Sequence, residues 1–141
     1  MAVDDYFSVE PLIVDRLNGR VADVTIRSSW GMPKIQETPD LPPAVLVLLE
    51  ADLPGEINLF GDNSTAQKVE QTWTCIVVVN DAKNNAGPLI SQVIQAMNGW
   101  QPAGTTFSPF KRVKSALTPE YSPNGVYYFP LAFATQFVFN T

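Results

Sequence analysis

Residues 69–100 constrain the fold more than any other stretch. They read VEQTWTCIVVV, then NDAKNNAG, then PLISQVIQAMNGW. The first part is rich in β-branched and aromatic residues with a period of two, the signature of a strand. Val69, Trp73, Cys75, Val77 and Val79 fall on one face, interrupted by Gln71. Glu70, Thr72 and Thr74 fall on the other, followed by Ile76 and Val78. That second face is polar early and apolar late, so the strand is expected to start outside the body of the domain and finish inside it. With the strand before it, it predicts a hairpin whose tip, near residues 61–65 within 58–66, projects outward. The third part predicts a helix capped by Asn84 or Asn85, with Pro88 in its first turn. Leu89, Ile90, Val93, Ile94 and Met97 make its apolar stripe and are expected in the core. Ser91, Gln92, Gln95 and Asn98 make a polar face without charge, a candidate protein interface. Asn98–Gly99 ends the helix, and Trp100 can fold back on it.

The rest of the chain fits around this unit. Residues 9–21 (VEPLIVDRLNGRV) predict a first helix, with Ser8 as N-cap and Val9, Leu12, Ile13, Leu17 and Val21 near one face. Residues 22–29 alternate as a half-buried strand. Residues 30–43 carry Pro33, Pro39, Pro42 and Pro43, too many prolines for regular structure, and predict an ordered loop pinned by Trp30. AVLVLLEA (44–51) is apolar on both faces, as a covered strand is. Pro54 and Gly55 are expected to turn the chain before a short strand at EINLF. FSPFKRVKSAL, interrupted by Pro109, predicts an edge strand or bulge. The closing strand, VYYFPLAFATQFVFN, has bulky aromatics at Tyr127, Phe129, Phe133, Phe137 and Phe139, and mostly small residues between them. The expected class is α+β: one domain over 1–141, a mostly antiparallel sheet with two main helices on it, on one face.

Composition points to assembly. The 141 residues are only 16 % charged, against a norm of about 25 %. Few charges on a chain of this size suggest surface covered by other subunits. The net charge of −5 is uneven. Residues 1–81 hold five bases against thirteen acids, while residues 82–141 hold Lys83, Lys111, Arg112 and Lys114 against Glu120 alone. Such asymmetry can orient copies head to tail. The overall acidity argues against a dedicated nucleic-acid binder. The basic cluster Lys111, Arg112 and Lys114, with Phe107 and Phe110 beside it, is a second candidate protein interface; a base-stacking site is the weaker reading.

Chemistry finds little to build on. There is no histidine, so Ser–His–Asp and Cys–His arrangements are excluded. No phosphate-binding glycine loop or metal-ligand spacing occurs, and no cofactor or metal is expected. Glu50 and Asp52 flank a strand end, where solvation is the ordinary explanation. Cys75 is expected to be a small core residue. No leader or membrane span is expected, since no segment approaches about 18 apolar residues.

Several of these segments together resemble a known family. An acidic lead before EPLIVDRL, a proline-rich loop before PAVLVLLEA, CIVVVND, the helix in GPLISQVIQAMNGW and a final aromatic strand resemble the tail terminator (tail completion) proteins of long-tailed bacteriophages, in their Mu-like and lambda-like forms. The resemblance implies a non-enzymatic virion protein, assembled in the host cytoplasm. It implies a hexameric ring on the last ring of the tail tube, which stops tube growth and presents a docking surface to the head–tail connector. DNA would only pass through the bore, whose lining is expected to be acidic or neutral. The family offers no catalytic residue to carry over. Alternatives left open are a neighbouring neck protein of similar fold, or a small ligand-binding domain with a pocket under the aromatic strand.

Overall fold

The chain order is α1 (Val9–Arg20), β1 (Thr25–Ser28), β2 (Ala44–Leu59), β3 (Thr65–Asn80), α2 (Ala82–Met97), β4 (Lys111–Val113), β5 (Glu120–Tyr121) and β6 (Val126–Asn140). The computed structural model describes residues 5–29, 43–61, 64–123 and 125–140. β3, built of residues that favour extended backbone, is the spine. It pairs antiparallel with β2 on one side and with β6 on the other. The sheet order is β1-β2-β3-β6-β4, with β5 also on β6, and only β1–β2 is parallel. Two helices on a six-stranded, mostly antiparallel sheet are the α+β class that the sequence predicts. Most of the expected loop 30–43, Trp30 included, lies outside the described residues, as do residues 62 and 63 at the expected hairpin tip.

Alternation divides the core in two. Val69, Trp73, Cys75, Val77 and Val79 pack under both helices with Leu131, Phe133 and Phe137 of β6. Val9, Ile13 and Leu17 of α1 and Leu89, Val93 and Met97 of α2 complete that layer. On the opposite face Leu46, Leu48, Ile76, Val78 and Tyr128 form a smaller cluster, roofed by Leu117 and Val126. Glu50 holds this roof in place. Its carboxylate accepts hydrogen bonds from Thr74 Oγ1 (2.9 Å), Ser115 Oγ and the Ala116 amide (3.2 Å). A strand-end acid expected to be merely solvated is therefore a fastener.

Gln71, the polar break in the apolar face of β3, is fully buried. Its Nε2 donates to the Tyr6 carbonyl (3.1 Å), and its Oε1 accepts from Trp73 Nε1 (3.1 Å). One amide thus satisfies a buried indole and anchors the lead before α1. Tyr6 itself packs edge-on against Phe137 and Phe139 and donates its hydroxyl to Asp52 (2.8 Å). Burial, and then the Asp52 carboxylate, push its phenol up to about 12.

Three local expectations are corrected. Pro54 and Gly55 do not turn the chain: β2 runs straight through them with register shifts at Leu49/Ala51 and Pro54/Ile57. A β-bulge absorbs the proline on an edge strand. Gly55 is required there, since a Cβ would stand 2.8 Å from the Lys68 carbonyl oxygen. The second helix starts earlier than expected. Asp81, left-handed at φ 51°, precedes it, and its carbonyl accepts from the Asn84 and Asn85 amides. Pro88 therefore lies inside α2 rather than in its first turn. The helix tolerates it because Pro88 and Asn84, whose carbonyl loses its donor, are both exposed to water. Ser8 precedes α1 but makes no side-chain cap bond.

Candidate interaction surfaces

The polar face of α2 is solvent-exposed at Ser91, Gln92 and Gln95, and Asn98 is exposed just beyond its end. The apolar stripe below holds the helix on the sheet, which fixes this face outward. Asn98 Oδ1 accepts from the Arg112 amide (3.0 Å). Gly99 N–H donates to the Phe110 carbonyl (2.7 Å), and Phe110 N–H to the Trp100 carbonyl (2.8 Å). Residues 98–100 therefore run beside residues 110–112, and the two candidate groups meet at Asn98 and Arg112.

The basic cluster divides differently from expectation. Lys111, Arg112 and Lys114 are exposed. Phe107 and Phe110, expected beside them on the contact surface, are core residues, 2 % and 1 % exposed. Phe110 stacks on Trp100 at 5.5 Å with planes 7° apart, and the Arg16 guanidinium lies 5.4 Å from the Trp100 ring. Phe107 packs edge-on against Phe137. Apolar burial draws both rings inward while the cations that follow them stay in water. Neither ring is available to stack on a base.

The barest surface lies elsewhere. Every residue of β2 from Ala51 to Leu59, and Phe60 after it, is exposed. Leu53, Ile57, Leu59 and Phe60 are 65, 57, 79 and 53 % exposed, and Val138 on β6 is 44 % exposed. Four large apolar side chains so close together along one strand and the residue after it are uncommon on a surface that stays in water. The sequence did carry a signal for this: Leu53, Ile57 and Leu59 alternate with Asp52, Glu56 and Asn58, a two-residue period masked by Pro54–Gly55.

Grooves accompany these surfaces. A cleft of about 400 Å³ lies where β1, β3 and α2 meet, lined by Asp23, Asn80, Asn84, Asn85 and Gln92 with Pro43, Pro88 and Leu89. It offers amides and one carboxylate, no pair of groups for acid–base work. A second groove follows the end of β6 past Lys68, Ser108, Gln136 and Val138, and a smaller one continues past Glu70 and Lys111. Cys75 is buried, and burial pushes its thiol up to about 12, so it stays protonated and inert.

An interaction protein, with exposed apolar strand, separated charge and no catalytic constellation among the described residues, is what this geometry favours. A family model for phage tail terminator proteins matches residues 3–141.

The chain belongs to the phage tail terminator family.

No curated protein matches it. Tail terminators are structural components of the phage virion's tail, so this chain is a virion protein concerned with tail assembly. A terminator's position implies contact with components of the tail tube and of the head. Among the described residues no helix is long and apolar enough to cross a membrane.

Proposed function

We propose that this terminator caps the tail tube as a closed ring of six copies, ends tube polymerisation and presents the surface on which the head–tail connector docks. What supports a ring is the bare half of β2, with Leu53, Ile57, Leu59 and Phe60 held in water by a lone protomer. Low charge and the opposite signs of the two parts of the chain support head-to-tail contacts. DNA only passes through the bore. The net charge of −5 suits an acidic or neutral lining, since a basic one would hold phosphates. The candidate contact groups are Lys111, Arg112 and Lys114, for an acidic partner surface, and Ser91, Gln92, Gln95 and Asn98, for a neighbour across α2.

The deciding measurement is the mass of the purified protein in solution, with and without tail tube protein. A ring in either condition is expected; a monomer in both would remove this reading. Two variants test the surfaces. Lys111→Glu with Lys114→Glu is expected to leave folding intact and to lower tail completion at least about tenfold, as reversed charges at a steered contact do. Unchanged completion would remove the basic cluster from the contact. Gln92→Lys with Gln95→Lys places two charges on a face proposed to be covered. Subunit association should fall by a similar factor, and a normal ring from this variant would show the face is simply wet.

A further inference from the structure

The apolar part of the β2–β3 hairpin and the cleft beside α2 lie at opposite ends of the sheet. Leu59 pairs with Thr65, the first residue of β3, while Val79 and Asn80, its last two, line the cleft. The 16 residues of β3 separate them, about 50 Å at roughly 3.3 Å per residue. A copy therefore cannot fill its own cleft with its own hairpin.

At the hairpin, Ile57 and Leu59 share one face of β2 through its two-residue period, and Phe60 follows them. Side chains of this size left in water make a patch on the order of a few hundred Å². A stable contact buries about 800 Å² per partner, so the patch suits the apolar centre of a larger contact rather than the whole of one. The cleft has the complementary form. Val79 and Leu89, both buried, lie at its bottom, and Val24 and Pro88 add apolar lining. The exposed amides of Asn84 and Gln92 belong to its rim. At about 400 Å³ it has room for more than one side chain. From Gln92 the exposed polar face of α2 continues to Gln95, one turn on, as an uncharged surround for an apolar centre.

Charge and symmetry select the hairpin of a second copy as the occupant. Around the patch stand Asp52, Glu56 and Glu70 with Lys68 alone. Around the cleft, Arg20 at the end of α1 and Lys83 in the first turn of α2 balance Asp23 and Asp81. Two hairpins meeting about a two-fold axis would set acids against the same acids, which costs binding energy. Hairpin against cleft sets them against a balanced end with two exposed cations. A contact between opposite ends is also heterologous, the kind that repeats around a ring.

We propose that the terminator ring is held by insertion: Leu59 and Phe60 of one copy occupy the cleft of the next, between the α1–β1 link, the end of β3 and α2. This rests on the ring proposed above and names what joins its copies.

The test places Leu59→Cys and Gln92→Cys, both at exposed positions, in the full chain. A short bis-maleimide is added under whichever condition, with or without tail tube protein, gives the ring. Cys75, buried and protonated, does not compete. The double variant is expected to give a covalent ladder of multiples on a denaturing gel. An equal mixture of the two single variants should stop at dimers, and neither single variant should link alone. Assembly of the double variant without any cross-link would overturn insertion and leave the ring standing. Dimers from Leu59→Cys alone would overturn it in favour of a two-fold contact. A second measurement avoids cysteines. Ala22 is exposed and lines the cleft, so Ala22→Trp fills it from within. Association should then fall at least about tenfold, while Ala22→Ser, which leaves the cleft open, should associate as the wild type does. A normal ring from Ala22→Trp would overturn the proposal. A monomeric wild type, with and without tube protein, would overturn the ring itself and insertion with it.

Discussion

Gln71→Leu is expected to lower the unfolding free energy by about 2 kcal/mol, read as a shift in urea midpoint at unchanged slope. Leu fits the volume and is the more apolar residue, so a count of apolar surface alone would forecast a gain. The hydrogen bonds decide otherwise. The Trp73 indole N–H, on a fully buried side chain, loses its only described acceptor, and the Tyr6 carbonyl loses its donor. An unsatisfied buried group costs about 1–3 kcal/mol, more than the added apolar contact returns. The lead before α1 loosens with it. Trp73→Phe in the same chain removes the orphaned donor, so the cost of Gln71→Leu should fall by half or more in that background. An equal cost in both backgrounds would show that the indole bond is not the cause.

Glu50→Ala should cost about 3 kcal/mol, with a local signature. Hydrogen bonds to a charged group are worth about 1.5–3 kcal/mol each, and the three at Glu50 are not additive. Thr74 and Ser115 lose their acceptor, and the roof of Leu117 over Ile76, Val78 and Tyr128 loses its fastening. Lys114 then lies beside a loosened segment, and trypsin should cut after it at least about tenfold faster than in the wild type, while cleavage within α2 changes only with global stability. Equal cutting at Lys114 would mean that Leu117 and Val126 hold the roof without the carboxylate.

The parts of the fold legible in the sequence were those with a sustained period. The two faces of β3, the helix stripes and the aromatic face of β6 repeat over many residues, and burial follows the repeat. What sequence alone left obscure depended on partners distant in the chain. Glu50 is a fastener only because residues 115 and 116 return to it, and Gln71 is satisfied only because Tyr6 and Trp73 converge on it. Phe107 and Phe110 were placed beside the cations by adjacency, yet α2, β6 and Trp100 offer them an apolar site. Pro54 signals a turn and Pro88 a first helical turn, yet β2 passes Pro54 by a bulge and α2 begins before Pro88, whose lost hydrogen bond leaves a solvated carbonyl. The bare half of β2 was hidden because a turn was expected in its middle.

The central position of β3 also bears on how the protein is made. Its second neighbour, β6, follows it by some sixty residues, with Asn80 opposite Val126 and Ala66 opposite Asn140. At roughly 5–20 residues per second, the ribosome leaves that edge of β3 without its partner for about 3–12 s. During this interval Val77, Val79 and Trp73 are a strand with one open side, in a cytoplasm filling with identical chains. The local hairpin of β2 and β3 can form at once, but the sheet becomes safe only when the aromatic strand arrives. Yield is therefore expected to depend in part on a race between completion of β6 and encounters among unfinished copies.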